Sequence, residues 1–366
     1  MRLPEPCYSV GLITTYQCNL NCKYCYITRK QNLRMPLETA KSILRPILEK
    51  EGDTLLVSLM GAETLMAADM ICGLVEWTES EKWRRKCRFF GSTNGTLLTP
   101  ELKTWFFEHR ETITLGLSYD GLHGTQKKNR GTKKGQVPLE FFLKTWPEQK
   151  IQMTVDAESV STMAEGVISL LERGFSVNAN VAYEAEEWPE KSLREYERQL
   201  RVLADYYLAH PNAKRIYQFI HSINEYAENL QNPPVQKQMC GAGDGFWVFD
   251  TDGRFYPCHM LSPLVLNTER LRGLKETRIG CGQTDFADIR CRGCPFVTDC
   301  PTCIGCNFIY RDSFRRRDFT HCWIMEAEVR ATMRMEILRL KKTKQLTSED
   351  ERLIRSINTV NAFLNG

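Results

Sequence analysis

The chain has 366 residues, of which 42% are hydrophobic, enough to build one large domain and a smaller second one. Its 49 basic and 45 acidic residues leave a net charge of +4, which is too balanced to indicate nucleic-acid binding. The 15 cysteines are clustered and odd in number, so they fit metal clusters in a reducing compartment better than a disulfide framework.

The sequence shows no signal for export or membrane insertion. Residues 1–6 lack the apolar stretch of a signal peptide, and no apolar run approaches the roughly 20 residues that span a bilayer. We therefore expect a cytoplasmic protein, with no membrane and no nucleic acid among its partners. Two basic runs with aromatic neighbours, 82–88 and 311–317, could steer an acidic peptide, but we interpret them as solvated faces beside buried aromatic rings.

Short apolar runs alternate with longer amphipathic ones from Tyr8 to about Ile220, as in strand–helix units around a parallel sheet. The predicted strands are residues 9–15, 54–60, 88–92, 113–119, 151–155 and 176–183. Helices, predicted from apolar residues at three- and four-residue spacing, include 37–50, 70–78, 100–107 and 193–208. Six strands predict an α/β fold, a partial (β/α)6 TIM-like barrel over residues 1–232.

Three cysteines, Cys18, Cys22 and Cys25, follow the first predicted strand, with Tyr24 and Tyr26 on either side of the last one. Three thiolates can hold an iron–sulfur cluster whose open corner binds a small molecule. A zinc knuckle or a plain electron-transfer cluster is the alternative, because cysteine clusters also bind zinc. Active sites of such barrels lie at the carboxyl ends of the strands, so the motif is expected on the catalytic rim.

Polar motifs also follow the second, third and fourth predicted strands. Gly61 lets the backbone approach a ligand, and Glu63 can accept hydrogen bonds from an ammonium group. Asn94 lies in a Ser-Thr-Asn-Gly-Thr run, and Ser118 begins a Ser-Tyr-Asp-Gly run that alone would indicate an ordinary turn. Arg130 follows, and its guanidinium suits a carboxylate.

The Cys-x3-Cys-x2-Cys spacing and its aromatic neighbours resemble the signature of the radical S-adenosylmethionine (AdoMet) enzymes. The resemblance implies that Cys18, Cys22 and Cys25 hold a [4Fe–4S] cluster. In that family the open iron binds the amino and carboxylate groups of AdoMet, and an electron from the cluster cleaves AdoMet to a 5′-deoxyadenosyl radical.

The resemblance also implies the cofactor-binding residues. The family's usual Gly-Gly-Glu-Pro motif, whose edge receives the methionyl amino group, is here Gly-Ala-Glu-Thr over residues 61–64, which could reshape that edge. Ser118 and Arg130 match positions that hold the methionyl carboxylate in related maturases. The expected AdoMet-binding residues are therefore Gly61, Glu63, Asn94, Ser118 and Arg130. No catalytic residue is assigned.

A cysteine-dense, loop-rich segment follows a predicted linker at residues 232–234. Its cysteines are Cys240, Cys258, Cys281, Cys291, Cys294, Cys300, Cys303, Cys306 and Cys322. Thiolate–metal bonds would stabilise such a segment, and Cys-x2-Cys pairs serve zinc as well as iron–sulfur clusters. Cys7, Cys72 and Cys87 show no ligand spacing and are expected to be buried free thiols.

The spacing of this second set resembles the SPASM extension, which binds two auxiliary [4Fe–4S] clusters in peptide-modifying radical enzymes. The Cys-Pro-Thr-Cys form at residues 300–303 is typical of maturases of cysteine-rich peptides. The resemblance implies one cluster on Cys291, Cys294, Cys300 and Cys322. It implies another on Cys240, Cys258 and Cys303, with Cys281 or Cys306 as fourth ligand or with none. With the first motif, the chain would hold three [4Fe–4S] clusters.

The SPASM domain is expected at residues 233–325, followed by a helical tail at 326–366. The sequence from residue 323 predicts two helices, the first ending near Lys342. The second is predicted to begin at a capping box formed by Ser348 and Glu351. No separate domain is expected before the first strand, so recognition of a leader peptide would need this tail or a partner protein.

The predicted function is that of a radical AdoMet maturase that removes hydrogen from a ribosomally made peptide. The expected product carries a thioether or carbon–carbon crosslink, with epimerisation also open. Expected partners are the precursor peptide, a separate leader-recognition protein, and a reductant such as flavodoxin or ferredoxin.

Two alternatives remain. One is anaerobic sulfatase maturation, which forms formylglycine. Those maturases place an Asp after Tyr-Pro-Cys, whereas this chain has His259, which we do not assign as catalytic. The alternative of another class is a non-enzymatic zinc or iron–sulfur binding module.

Overall fold

The computed structural model describes residues 9–27, 30–182, 187–234, 240–243, 245–274, 288–300 and 303–366. The chain divides into two compact units. The first comprises residues 1–119, 126–152 and 240–282, and the second comprises residues 120–125, 153–239 and 283–366. No helix in the described ranges is long and apolar enough to cross a membrane.

Eight strands and twelve α-helices lie within the described ranges. The strands are β1 (Ser9–Thr15), β2 (Leu55–Gly61), β3 (Cys87–Thr93), β4 (Ile113–Leu117), β5 (Lys150–Val155), β6 (Ser176–Val181), β7 (Phe246–Phe249) and β8 (Phe255–Tyr256). The α-helices are α1 (Leu37–Leu48), α2 (Ala68–Ser80), α3 (Pro100–Glu108), α4 (His123–Arg130), α5 (Leu139–Thr145), α6 (Met163–Glu172), α7 (Glu190–Ala209), α8 (Ile223–Gln231), α9 (Thr268–Leu274), α10 (Ile304–Arg311), α11 (Thr320–Lys342) and α12 (Ser348–Asn365).

The first unit contains a six-stranded sheet in the order β4-β3-β2-β1-β7-β8. Strands β1 to β4 and β7 run parallel, and β8 is antiparallel to β7. Strand β1 lies between β2 and β7, and its Val10, Leu12 and Ile13 are fully buried. Such burial accounts for its almost continuous apolar sequence.

All six predicted barrel strands are present, with ends that differ from the prediction by at most two residues. Strands β5 and β6 pair with each other, and Ser118 forms a parallel bridge to Gln152 next to the end of β4. The predicted α/β class is therefore confirmed, with a parallel sheet consistent with a partial barrel. The four predicted barrel helices correspond to α1, α2, α3 and α7.

Strand β7 was not predicted. It pairs with β1 from Ser9↔Phe246 to Leu12↔Phe249, so a segment beyond the predicted linker completes one side of β1 in the first unit. Four apolar residues in a glycine-containing loop region carry too little periodicity to indicate a strand. The domain boundaries at residues 232 and 325 stay a prediction.

The second unit is largely helical, and its core includes Tyr226, Cys300 and Val329. The predicted tail helices are α11 and α12, but the predicted capping box is wrong by one residue. Thr347 accepts a hydrogen bond from the Asp350 amide at 3.1 Å, and Asp350 accepts one from the Thr347 amide at 3.1 Å. Both four-residue patterns suit a capping box, and the sequence does not distinguish them.

Candidate active site and cysteine centres

The loop after β1 presents the three predicted cluster cysteines. Cys18, Cys22 and Cys25 are each partly buried. The Leu20 amide donates to Cys18 Sγ at 3.4 Å, and the Cys25 amide donates to the Cys22 carbonyl at 3.2 Å. Burial raises the pKa of the Cys18 thiol. The turn thus places three thiols in one loop at the carboxyl end of a parallel strand.

Amide side chains attach this loop to the end of β3. Asn94 Nδ2 donates to Asn19 Oδ1 at 3.0 Å, and Asn19 Nδ2 donates to Thr96 Oγ1 at 2.8 Å. Asn94 Oδ1 accepts from the Thr96 amide at 2.9 Å. Because Asn19 lies between two of the cysteines, Asn94 positions the cysteine loop. The Ser-Thr-Asn-Gly-Thr motif pointed to Asn94, but nothing in the sequence pointed to Asn19.

Glu63 connects the ends of β2 and β3. Its side chain is 2% exposed and accepts hydrogen bonds from Thr93 Oγ1 at 2.5 Å, the Leu65 amide at 3.1 Å and the Asn94 amide at 2.9 Å. Burial raises the pKa of Glu63, against the opposing effect of these bonds and of the Arg130 charge. These contacts hold the two strand ends together at the rim.

Gly61 lies at the carboxyl end of β2, opposite Thr15 of the parallel strand β1. Its φ of 126° disfavours any other residue, and an added Cβ would lie 2.3 Å from the Thr15 carbonyl oxygen. Only glycine fits without displacing the strand that leads into the cysteine loop. The glycine therefore permits the close approach of the β1 backbone. The predicted approach to a ligand stays a prediction.

Arg130 ends α4 beside the cysteine loop. The guanidinium carbon lies 5.3 Å from the Tyr24 ring centroid, and the Lys23 amide donates to the Asn129 carbonyl at 3.0 Å. Ser118 lies at the end of β4, where its amide donates to the Thr93 carbonyl at 2.9 Å. The five residues predicted to bind AdoMet and the first three cysteines thus all lie in the first unit.

His259 follows Cys258 in the chain and contacts Tyr26, which follows Cys25, so it lies near predicted ligands of two clusters. Its Nε2 lies 3.2 Å from the Tyr26 hydroxyl, and its Nδ1 lies 3.8 Å from Cys258 Sγ. Burial lowers the pKa of His259 to about 4, so the ring is neutral at pH 7. This contact could not be predicted from the sequence, because Tyr26 and His259 are 233 positions apart.

Four cysteines predicted to hold one auxiliary cluster line a single cavity in the second unit. Cys291, Cys294, Cys300 and Cys322 surround a volume of about 360 Å³. The buried guanidinium of Arg317 donates to Cys291 Sγ at 3.3 Å and to Cys300 Sγ at 3.1 Å. Four thiols with charged N–H donors are a donor set that suits an iron–sulfur cluster.

The cysteines predicted for the other auxiliary cluster are divided between the units. Cys240 and Cys258 belong to the first unit, and Cys303 and Cys306 belong to the second. The Cys306 amide donates to Cys303 Sγ at 3.4 Å at the start of α10. Cys281 lies outside the described residues. This ligand set stays a prediction.

No three His, Cys, Asp or Glu side chains in the described part of the chain are arranged to hold a single metal ion. The thiol sets nevertheless fit iron–sulfur clusters in their chemistry. Cys18 Sγ accepts a backbone N–H, and Cys291 and Cys300 accept an arginine fork. Hydrogen bonds to sulfur are among the features by which proteins set cluster potentials.

A buried polar network lies directly before Cys300 in the second unit. His221 Nε2 lies 3.1 Å from Glu328 Oε2, and its Nδ1 lies 2.9 Å from the Tyr226 hydroxyl. That hydroxyl donates to Asp299 Oδ2 at 2.6 Å. The Asp299 and Glu328 carboxylates, 3.8 and 3.1 Å from the two ring nitrogens, overcome the burial of the ring and raise the pKa of His221 to about 9. The imidazole is therefore charged at pH 7.

Comparison with known sequences gives matches over part of the chain. The sequence model of the Radical SAM superfamily matches residues 12–136. An uncharacterized protein of Methanocaldococcus jannaschii is 30% identical over 111 residues, which are 30% of this chain. The match spans only 38% of that relative's length.

Solved structures share the fold over most of the chain. anSMEcpe with bound AdoMet aligns with a TM-score of 0.67 at 17% identity, covering 97% of this chain and 99% of that one. Streptococcus suis SuiB bound to precursor peptide SuiA aligns with a TM-score of 0.55 at 14% identity, covering 86% and 76%. At these identities the likeness concerns the fold alone.

Proposed function

We propose that this chain, which carries a radical SAM domain over residues 12–136, is a maturase that modifies a ribosomally made peptide. The modification would be a thioether or carbon–carbon crosslink. The reaction would begin with removal of a hydrogen atom from an unactivated carbon of the peptide. The observation that carries the proposal is that the chain has both a three-cysteine loop at the carboxyl end of β1 and a cavity lined by four further cysteines.

At the rim, Cys18, Cys22 and Cys25 would hold a [4Fe–4S] cluster with one open iron. Arg130 is buried and charged beside that loop, so it suits the methionyl carboxylate of AdoMet, with Ser118 as a second donor. When bound and reduced, the cluster and AdoMet supply the 5′-deoxyadenosyl radical. The protein holds the cofactor in place and excludes water from the radical.

The remaining rim residues keep that site in position. Asn94 ties the cysteine loop to β3 through Asn19, and Glu63 ties β2 to β3. The backbone edge at Gly61 lies against β1, where it could receive the methionyl amino group. Beside their proposed part in AdoMet binding, Glu63 and Asn94 position the rim through these hydrogen bonds.

The auxiliary clusters would take up the electron that the substrate radical loses when the new bond forms. The Cys291, Cys294, Cys300 and Cys322 cavity supplies four thiols for such a cluster. The sequence resemblance assigns the other cluster to Cys240, Cys258 and Cys303, with Cys281 or Cys306 as fourth ligand or with none, in which case its open iron would bind a substrate thiolate. Flavodoxin or ferredoxin is the proposed reductant for the first cluster.

A peptide substrate is supported by two proteins of the same fold. anSMEcpe has been solved with AdoMet and a Cp18Cys peptide, and SuiB with precursor peptide SuiA. A separate leader-recognition protein is proposed as a further partner.

The test uses the reconstituted full chain under anaerobic conditions with dithionite, AdoMet and the short cysteine-containing peptide encoded nearest to its gene. We expect the peptide to lose two hydrogen atoms per crosslink, and deuterium placed on its aliphatic carbons to appear in 5′-deoxyadenosine. The same peptide with every Cys replaced by Ser is the matched control for thioether formation. AdoMet cleavage without deuterium transfer from any such peptide would contradict the proposal.

The second candidate is formylglycine formation, favoured by the resemblance to anaerobic sulfatase maturases through Tyr256-Pro257-Cys258. His259 stands where those enzymes carry an Asp, and as a neutral ring it can accept a proton. The probe is the Cp18Cys peptide that anSMEcpe binds. An aldehyde trapped by a hydrazide reagent would identify this activity, and unchanged peptide would exclude it for that substrate.

The metal content per chain distinguishes the proposed maturase from a non-enzymatic binding module. The proposed maturase requires about twelve irons and twelve sulfides per chain, as three [4Fe–4S] clusters contain. Zinc in place of iron, with no cleavage of AdoMet, would instead indicate a binding module.

A further inference from the structure

Arg317 differs from the rest of its basic run. The sequence predicts a solvated face for residues 311–317. Arg315 and Arg316 are exposed, but Arg317 is buried, with 6% of its surface exposed. Its two terminal nitrogens point at two different sulfurs, Cys291 Sγ and Cys300 Sγ. The Arg317 amide donates to Asp288 Oδ2 at 3.0 Å, which fixes the backbone at this point.

The other charged groups around the cavity are placed differently. Arg290 is exposed and forms an ion pair with Asp288 at 3.2 Å, and Arg292 is exposed. The lining also includes Glu326, whose pKa is raised by burial. Arg317 is therefore the arginine of this lining whose charge lies inside the protein next to the thiols.

A buried cation is costly unless an anion compensates it. A neutral thiol is a weak acceptor, whereas the thiolates of an iron–sulfur cluster are negative and accept charge-assisted hydrogen bonds. The arrangement of Arg317 therefore suits the cavity when its cysteines are deprotonated by a metal cluster. The fork spans two of the four proposed ligands, which a single lysine nitrogen would not match as well.

We propose that Arg317 is the charge-compensating residue of the cluster held by Cys291, Cys294, Cys300 and Cys322, and that it raises the reduction potential of that cluster. This inference rests on the auxiliary cluster of the proposed function. One electron taken up by the cluster adds one negative charge, and a fixed positive charge on two of its sulfurs stabilises the reduced form. With Arg317 beside it, this cluster would be a better electron acceptor than the same cluster without that charge.

The test measures the reduction potential of this cluster in a chain that lacks the radical-generating cluster. The full chain is prepared with Cys18→Ala, Cys22→Ala and Cys25→Ala, reconstituted with iron and sulfide, and titrated with dithionite while the reduced cluster is followed by electron paramagnetic resonance. Arg317→Gln removes the charge, Arg317→Lys keeps it, and Arg316→Gln is the matched control, an exposed arginine one position away. Iron content is measured for every variant.

We expect Arg317→Gln to lower the ratio of reduced to oxidised cluster at a given potential at least tenfold, which is about 59 mV for one electron. Arg317→Lys should stay within about threefold of the parent, and Arg316→Gln should match it. Loss of about four irons in Arg317→Gln but not in Arg317→Lys would also support the proposal, since the charge would then be needed to retain the cluster.

Three results would overturn it. In the first, Arg317→Gln keeps all its auxiliary iron and its cluster has the same reduction potential as in Arg316→Gln. In the second, Arg317→Gln and Arg317→Lys lose equal amounts of iron. In the third, the parent binds no auxiliary iron. Failure of the peptide reaction would leave the titration result intact, because the background variant carries no radical cluster. The two proposals can therefore fail separately.

Discussion

Replacing Glu63 by Gln tests whether this carboxylate positions the rim. One carboxylate oxygen accepts from Thr93 and Leu65, and the other accepts from the Asn94 amide. A glutamine that keeps its oxygen on the Thr93 side presents an N–H group to the Asn94 N–H. A buried hydrogen bond to a charged group is then lost, at a cost of about 1.5–3 kcal/mol.

The Asn94 amide itself reports this loss. Hydrogen exchange through local opening should accelerate by about 10- to 150-fold, since each 1.4 kcal/mol is a factor of ten. Exchange of a peptide containing Asn94 is measured by mass spectrometry without AdoMet. Glu111→Gln is the control, because that side chain is 85% exposed. Unchanged exchange at Asn94 in Glu63→Gln would refute the positioning role.

Two further predictions concern the AdoMet site and the second unit. Arg130→Ala should weaken AdoMet binding by about ten- to a hundredfold, the cost of one charge-assisted contact, as measured by equilibrium binding; unchanged affinity would remove Arg130 from the site. Because the folded pKa of His221 is raised to about 9 from 6.5, its contribution to stability is complete below pH 6.5 and is lost as the pH rises through about 9. Denaturant unfolding should show a decrease of roughly 3 kcal/mol over that range, absent in His221→Asn and present in the exposed control His210→Asn; a parent stability that does not fall between pH 6.5 and 9 would contradict the charged imidazole.

The barrel strands could be predicted because each carries apolar residues that the sheet buries, and the first four are followed by a cysteine or polar motif. The same logic put Gly61, Glu63, Asn94 and Ser118 at one rim, where the structure places them. Strand β7 could not be predicted, because its pairing with β1 joins residues more than 200 positions apart and its four residues carry no period. The Radical SAM superfamily model matches residues 12–136, which include the first motif. That Cys18, Cys22 and Cys25 hold a cluster stays a prediction.

Side-chain partners were harder to predict than positions. The role of Asn94 in AdoMet binding stays a prediction, and its side-chain bonds to Asn19 and Thr96 had no signal in the sequence. Arg317 was interpreted as part of a solvated face, and this was wrong because the cysteines around it form a cavity that only the fold assembles. A charge run gives no sign of which member is buried, since that depends on residues distant in sequence.

The central claim is that the loop of Cys18, Cys22 and Cys25 generates the radical, and the most direct measurement is 5′-deoxyadenosine formed from AdoMet under dithionite. The reconstituted parent chain should produce it. The variant with all three residues changed to Ala should produce none while retaining about eight of its twelve irons, as two intact auxiliary clusters require. Formation of 5′-deoxyadenosine by that triple variant would contradict the account.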